Sequence, residues 1–160
     1  DGIGDAHYTI NANNTDNYPL MGMFSDFNAT WQEKTYPLNI VSNSTVSNFD
    51  FGELVNLETG EWWRAIYFRV TGLDDTIGFC RILIPTALMN DTYKVFISWA
   101  EVPYTLLPCS NSTHSYLYFA YTHSTREVII IPEFPSLLIL PLFMMATLLA
   151  IIGCKRKHSK

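Results

Sequence analysis

The chain is 160 residues long, 48% hydrophobic and 16% charged, with a formal net charge of −5. That acidity excludes nucleic acid as a partner, because phosphate recognition needs a basic footprint. The length leaves room for one small domain and a piece of another.

Residues 1–21 read Asp1-Gly2-Ile3-Gly4-Asp5, then Tyr8-Thr9-Ile10, an Asn-rich turn, and Asn17-Tyr18-Pro19-Leu20-Met21. Gly2 and Gly4 permit tight corners, and Asn and Asp favour turns between short strands. This pattern resembles the terminal coil of right-handed parallel β-helix proteins related to the NosD periplasmic copper-binding family. The resemblance implies a remnant of a solenoid. A single coil cannot bury its own apolar face, so a remnant coil and a disordered stretch are both open. It does not bring copper with it: His7 is remote from Met21 and Met23, and Met23 beside Phe24 reads as apolar packing. Asp1 and Asp5 fall short of the ~6–8 oxygens calcium takes. No metal or other cofactor is expected. The chain starts at Asp1 with no Met, and export needs a targeting segment, so the expectation is a processed or truncated end of something longer.

Residues 22–34, with Gly22, Ser25, Asp26, Asn28 and Thr30, have the polar composition of a linker. From residue 35 the pattern becomes short alternating runs. Tyr36–Val41 and Val46–Phe51 read as strands, the second with Phe49 and Phe51 on one face. Leu54–Leu57 and Trp62–Val70 flank Glu58-Thr59-Gly60-Glu61, a hairpin signal. In the longer arm Trp62, Arg64, Ile66, Phe68 and Val70 share one face, and Trp63, Ala65, Tyr67 and Arg69 the other. After the turn at Gly72-Leu73-Asp74-Asp75 come Phe79–Ile84, Tyr93–Trp99, Tyr116–Thr122 and Glu127–Ile131, with a single helical turn at Pro85–Asn90. Strands at this spacing without a helical period predict a mainly β fold, an antiparallel Ig-like β-sandwich over residues 35–131. Its expected core is aromatic: Trp62, Trp63, Tyr67, Phe68, Phe79, Trp99, Tyr118 and Phe119.

The segments Gly78-Phe79-Cys80-Arg81-Ile82-Leu83-Ile84-Pro85, Tyr93-Lys94-Val95 and Tyr116–Thr125 resemble a C-terminal β domain found on archaeal surface proteins, often just ahead of the membrane anchor. The chain then runs through Pro132-Glu133-Phe134-Pro135-Ser136 into an uncharged apolar stretch, Leu137–Cys154, closed by Lys155-Arg156-Lys157-His158-Ser159-Lys160. As a helix at about 1.5 Å per residue the stretch spans about 27 Å, close to the ~30 Å hydrocarbon thickness of a bilayer. Pro141 falls in its first turns, where a membrane helix tolerates it. All 15 acidic residues precede Leu137. Basic residues beyond an apolar span stay inside. The reading is therefore a single-pass cell-surface protein with residues 137–154 as transmembrane helix, the acidic part outside and residues 155–160 as a cytoplasmic tail. Residues 132–136 with the span and tail resemble the PEF-CTERM type of archaeal sorting signal. That resemblance implies an archaeosortase-like enzyme as partner, which cuts near Pro132, Glu133, Phe134, Pro135 and Ser136 and transfers the protein to a membrane lipid. A permanent single-pass anchor is the other reading.

Cys154 ends the span, whereas Cys80 and Cys109 lie outside, where a disulfide would persist. A bridge between them closes about 30 residues and would contribute roughly 3.5 kcal/mol in the chain-entropy model; a buried free thiol at Cys80 is the alternative. Asn-x-Ser/Thr occurs at Asn13, Asn28, Asn43, Asn90 and Asn111, and in an exported segment these are glycosylation acceptors.

No catalytic constellation emerges. His114 and His123 lie among Ser and Thr, and neither is embedded in a nucleophile-elbow pattern. Asp50 with Glu53, Glu58 with Glu61, and Asp74 with Asp75 read as solvated faces or turns. The feature of interest is aromatic: Trp62 and Trp63 must point to opposite faces of a strand, and an exposed Trp63 with Tyr67 further along the same face would form a platform for a sugar ring. The expectation is a non-enzymatic extracellular stalk and anchor domain. Its alternative is a carbohydrate-binding module, with surface glycans as partners, attached to an upstream β-helix enzyme acting on polysaccharide.

Overall fold

The computed structural model describes residues 1–55, 60, 62–90 and 92–133. The expected helix 137–154, the tail 155–160, Phe134, Pro135 and Ser136 of the motif, and Glu58, Thr59 and Glu61 of the hairpin turn lie outside the described residues. Among the described residues no helix is long and apolar enough to cross a membrane.

In chain order the strands are β1 (Tyr8–Asn11), β2 (Asn14–Asp16), β3 (Met23–Trp31), β4 (Lys34–Ser42), β5 (Thr45–Val55), β6 (Trp62–Thr71), β7 (Ile77–Pro85), β8 (Thr92–Ile97), β9 (Ala100–Val102), β10 (Thr105–Leu106), β11 (His114–Thr122) and β12 (Arg126–Glu133). Ten of them form two five-stranded sheets, β10-β11-β7-β4-β3 and β5-β6-β12-β8-β9. The pairings are antiparallel throughout. Period-2 alternation decides what each strand buries. Cys80, Ile82 and Ile84 of β7, Leu38 and Ile40 of β4, and Leu117 and Phe119 of β11 meet Ile66, Phe68 and Val70 of β6, Val95 of β8 and Val128 and Ile130 of β12 in one apolar cluster between the sheets. The architecture is a mainly β, sandwich-like pair of antiparallel sheets.

Four sequence expectations change. The linker expected at 22–34 is strand β3, paired with β4 from Met23↔Ser42 to Trp31↔Lys34. Its polar residues Asp26, Asn28 and Thr30 are exposed while Phe27, Ala29 and Trp31 turn inward. An edge strand with one wet face carries just the composition that reads as linker. Second, the core is largely aliphatic: Phe68 and Phe119 are buried as expected, but Trp62 and Trp99 are 64% and 70% exposed. Third, the strand order departs from that of an Ig domain, whose last strand lies at a sheet edge. Here the last strand among the described residues, β12, sits in the middle of its sheet, between β6 and β8. Short-range turn signals locate strands but carry no information on which distant strands pair. Fourth, residues 1–21 are neither disordered nor wound as one coil. They form an antiparallel arm, with the β1–β2 hairpin and an Ile3↔Leu20 bridge. Gly2, at φ 81°, lies so close to the outer side of β7 that a Cβ there would sit 3.1 Å from the Phe79 ring.

The expected strand Val46–Phe51 and the arm Leu54–Leu57 are largely one strand, β5, bent by a bulge between Ser47 and Asp50 at which Asn48 has φ 51°. The extra residue shifts the side-chain parity, so that Val46 on one side and Phe49 and Phe51 on the other all reach the core. There Phe27 stacks on Phe49 at 4.5 Å and Trp31 meets Phe51 edge-on at 5.9 Å, so aromatic pairs join the two edge strands β3 and β5. Arg64, expected on the inner face, donates to the Leu88 carbonyl and lies 5.7 Å from the Trp31 ring. It closes that end of the core with its charge paired to a carbonyl dipole and an aromatic face. The turn expected at Pro85–Asn90 is present: Leu88 N and Met89 N both bond the Pro85 carbonyl, and both side chains are fully buried.

Candidate functional site

The outer face of the second sheet carries its own apolar cluster. Ala65, Ile129 and Ile131 are buried there beneath Leu54, Trp63, Tyr67 and Phe96. This explains why Val128–Pro132 of β12 is buried on both faces, an uninterrupted apolar run of the kind that two-sided burial requires. Trp63 and Tyr67 share this face, on either side of Ala65, as their spacing predicts. Trp63 is half-buried and its Nε1 is enclosed without a hydrogen-bond partner among the described residues. Tyr67 is half-buried as well, and burial, with the nearby Asp50 carboxylate second, raises the pKa of its hydroxyl.

Next to Tyr67 an open groove of about 260 Å³ has Asn48, Tyr67, Arg69, Trp99, Glu127 and Ile129 among its lining residues. Arg69 and Glu127 face each other across the β6–β12 pair at 3.3 Å. Trp99 enters from the two-residue turn between β8 and β9, where Ser98 and Trp99 have φ values of 48° and 70°. Such turns favour Asn and Gly because both central residues are left-handed. A bulky side chain there costs roughly 1–2 kcal/mol, and this one is 70% exposed, so packing does not offset the strain. Ser98-Trp99 lacks any turn signal, which is why the sequence places Trp99 at the end of a core strand. Asn48 enters the groove through the bulge, which is equally silent in the sequence.

A second constellation lies inside the sandwich. His123 is 5% exposed, with Nε2 2.7 Å from Ser44 Oγ and Nδ1 bonded to Thr76 Oγ1. Thr76 Oγ1 donates to the Leu73 carbonyl, so it accepts from a protonated Nδ1. In the neutral ring with its proton on Nδ1, Ser44 donates to Nε2 and accepts the hydrogen bond of the Tyr121 hydroxyl at 2.7 Å. Ser42 Oγ, donating to the Phe79 carbonyl, accepts from the Cys80 thiol at 3.5 Å. Gly72 and Gly78 make room for the ring: a Cβ on either would lie 2.4–2.7 Å from His123 atoms. A serine hydroxyl directed at an imidazole suits nucleophilic chemistry, but Ser44 is 1% exposed. The network satisfies buried polar groups. His114, the other histidine singled out by the sequence, is half-buried in β11 with Nδ1 2.9 Å from Thr113 Oγ1.

Cys80 and Cys109 are both free, which corrects the disulfide reading in favour of a buried thiol. The reason is strand parity: Cys80 points into the core, whereas Cys109 is exposed, 3.7 Å from the guanidinium of Arg81, the outward neighbour of Cys80. Burial pushes the Cys80 thiol up to about 11, and its side-chain contacts with Ser42 and Tyr121 act more weakly in the other direction.

The five asparagines of the Asn-x-Ser/Thr pattern are all exposed, but they are not equivalent. Asn13 sits in the β1–β2 turn, Asn28 on the outward side of β3, and Asn90 between β7 and β8. Asn43 and Asn111 are held by hydrogen bonds. At the C-terminal end, Pro132 and Glu133 of the motif belong to β12, paired with Tyr93 and Thr92. Lys94 holds Glu133 at 3.9 Å and Glu101 at 3.6 Å. Among the described residues no three His, Cys, Asp or Glu side chains gather as a metal site.

Comparison of the chain with protein-family models, curated proteins and solved structures gave no match.

Proposed function

We propose that this chain is the non-catalytic, extracellular stalk of a glycosylated cell-surface protein, tethered through residues 137–154 with its basic tail in the cytoplasm. The observation that carries this reading is the place of β12. The strand that leads into the apolar run is hydrogen-bonded along both sides, to β6 and to β8. Tension applied through the anchor therefore loads two antiparallel ladders along their length, and no edge strand has to be peeled away. Hydrophobic burial adds to this resistance, because Val128 and Ile130 face the core and Ile129 and Ile131 the outer cluster.

Sorting by an archaeosortase-like enzyme with exchange of the span for a lipid belongs to the same proposal. Since Pro132 and Glu133 are strand residues, cleavage takes place beyond Glu133. Intact-mass measurement of the protein extracted from its native membrane tests the reading. A C-terminus at residues 133–136 carrying a lipid-sized addition supports sorting. A mass that retains Lys160 makes the helix a permanent anchor, and a species released from the membrane without treatment overturns the tether.

The groove beside Tyr67 favours a second reading, a carbohydrate-binding module. Trp99 supplies an exposed aromatic face, and Asn48, Arg69 and Glu127 supply polar groups at its edge, the combination that a pyranose ring with its hydroxyls requires. The platform thus moves from Trp63/Tyr67 to Tyr67/Trp99. Pull-down on surface polysaccharide tests it: Trp99→Ala abolishes retention if the groove binds sugar, and retention equal to the parent's refutes the site.

A further inference from the structure

We propose that Asn111 is the glycan acceptor this fold presents, and that Asn43, in spite of its Asn-x-Thr pattern, carries no glycan; the inference rests on the reading of the chain as exported. Glycan transfer forms a bond between Asn Nδ2 and the anomeric carbon of a phosphate-activated sugar. The carbon–oxygen bond to phosphate breaks, the phosphate leaves with the electron pair, and Nδ2 gives up one proton. The acceptor therefore needs an accessible Nδ2 whose protons are not committed elsewhere.

At Asn43 they are committed. Its Nδ2 donates to the Ile77 carbonyl at 2.9 Å and its Oδ1 accepts from Phe79 N at 2.8 Å. Donor and acceptor on the facing strand differ, so the amide has one orientation. It continues the pairing of β4 with β7 beyond the last backbone pair, Ser42↔Cys80. A secondary amide prefers the trans form, which puts a new substituent on the Oδ1 side of Nδ2. That is the edge turned to β7, so a sugar there would displace the strand.

Asn111 is the opposite case. Its Oδ1 accepts from Thr113 N at 2.9 Å, Thr113 Oγ1 at 2.7 Å and His114 N at 3.0 Å. Its own backbone N donates to the His114 carbonyl at 2.9 Å. The asparagine and the hydroxyl residue that define the acceptor pattern are thus already assembled in one turn, and Nδ2 makes no hydrogen bond among the described residues. An enzyme that reads both residues together has no loop left to order, a saving in binding cost. At Asn13, Asn28 and Asn90 the partner threonines Thr15, Thr30 and Thr92 are strand residues, without such a bond to their asparagines.

Site-occupancy mapping by glycopeptide mass spectrometry, on protein from its native membrane, tests both halves. The expected result is sugar on the Asn111 peptide, bare Asn111 in Thr113→Ala, and bare Asn43 in every sample. In parallel Asn43→Asp, which keeps Oδ1 but removes the donor, lowers the melting temperature of the full chain by about 3–5 °C. Sugar on Asn43, an unchanged melting temperature for Asn43→Asp, or sugar at other sites with Asn111 bare each overturns the inference alone. Absence of sugar from all five asparagines overturns it together with the glycoprotein part of the proposed function, while the tether stands or falls separately on the intact mass.

Discussion

Removing a single hydroxyl, in Ser44→Ala, tests the reading of the buried network. Ser44 Oγ is at once the acceptor for Tyr121 OH and the donor to His123 Nε2, both at 2.7 Å. Without it Tyr121 retains only longer contacts, to Ser42 Oγ at 3.5 Å and Cys80 Sγ at 3.6 Å. His123 Nε2 retains no bonded partner in the core. A lost buried hydrogen bond is worth about 1 kcal/mol and an orphaned buried polar atom about 1–3 kcal/mol. The expected loss is therefore about 2–4 kcal/mol, since the alanine cavity is too small for a replacement water. Urea unfolding of the full chain in detergent, followed by near-UV circular dichroism, reads this as a lower midpoint at constant slope. The double variant with Tyr121→Phe should be less destabilised than the sum of the single changes, by about 1 kcal/mol, because the two share one bond. A Ser44→Ala midpoint within about 0.5 kcal/mol of the parent would refute the network as a stabilising element.

Gly78→Ala places a Cβ 2.4 Å from the Tyr121 ring and 2.5 Å from that of His123; with both rings held by hydrogen bonds, the expected cost is about 3 kcal/mol by thermal melting. Phe27→Ala removes the ring stacked on Phe49 between the edge strands. It should destabilise by about 2–3 kcal/mol, less than the full ~3–5 for a completely buried ring, and a change below about 0.5 would return β3 to the status of a linker. Maleimide labelling of the native protein should modify Cys109 at once and Cys80 only on unfolding, since Cys80 is fully buried. The same thiol sets a pH dependence. Its folded value, about 11, exceeds the ordinary 9.0, so the unfolded chain loses the proton first. Stability from this group is complete below about pH 9 and declines as pH rises towards 11, by roughly 3 kcal/mol. The buried Tyr121 hydroxyl, raised by burial and then by Cys80, acts in the same direction. Urea midpoints that stay constant from pH 8 to 11 would contradict the buried thiol.

Much of the sandwich was legible because its signals are local. Alternation in Gly78–Pro85 or Trp62–Thr71 follows from the pleat alone, and it correctly sets Trp62 and Trp63 on opposite faces and Tyr67 beside Trp63. The Pro85–Asn90 turn and the antiparallel pairing of β5 with β6 follow from residues close to one another in the chain. Met23–Trp31 was missed because an edge strand with one solvated face has a linker's composition. The groove was missed because Asn48 and Trp99 reach it through a bulge and a left-handed turn that their side chains do not advertise.

A mainly β chain with an acidic body, an apolar C-terminal run and a basic end can be read from the residues alone, because strand periodicity, charge and hydropathy need no knowledge of distant neighbours. Tertiary structure alone decided that β12 is central, that Cys80 and Cys109 stay apart, that Ser44, Thr76, Tyr121 and His123 converge, and that Asn43 and Asn111 differ. Each of these depends on which strands pair and in what register. That choice is made by the packing of both sheets at once, where a shift of one residue exchanges the core face for the solvent face.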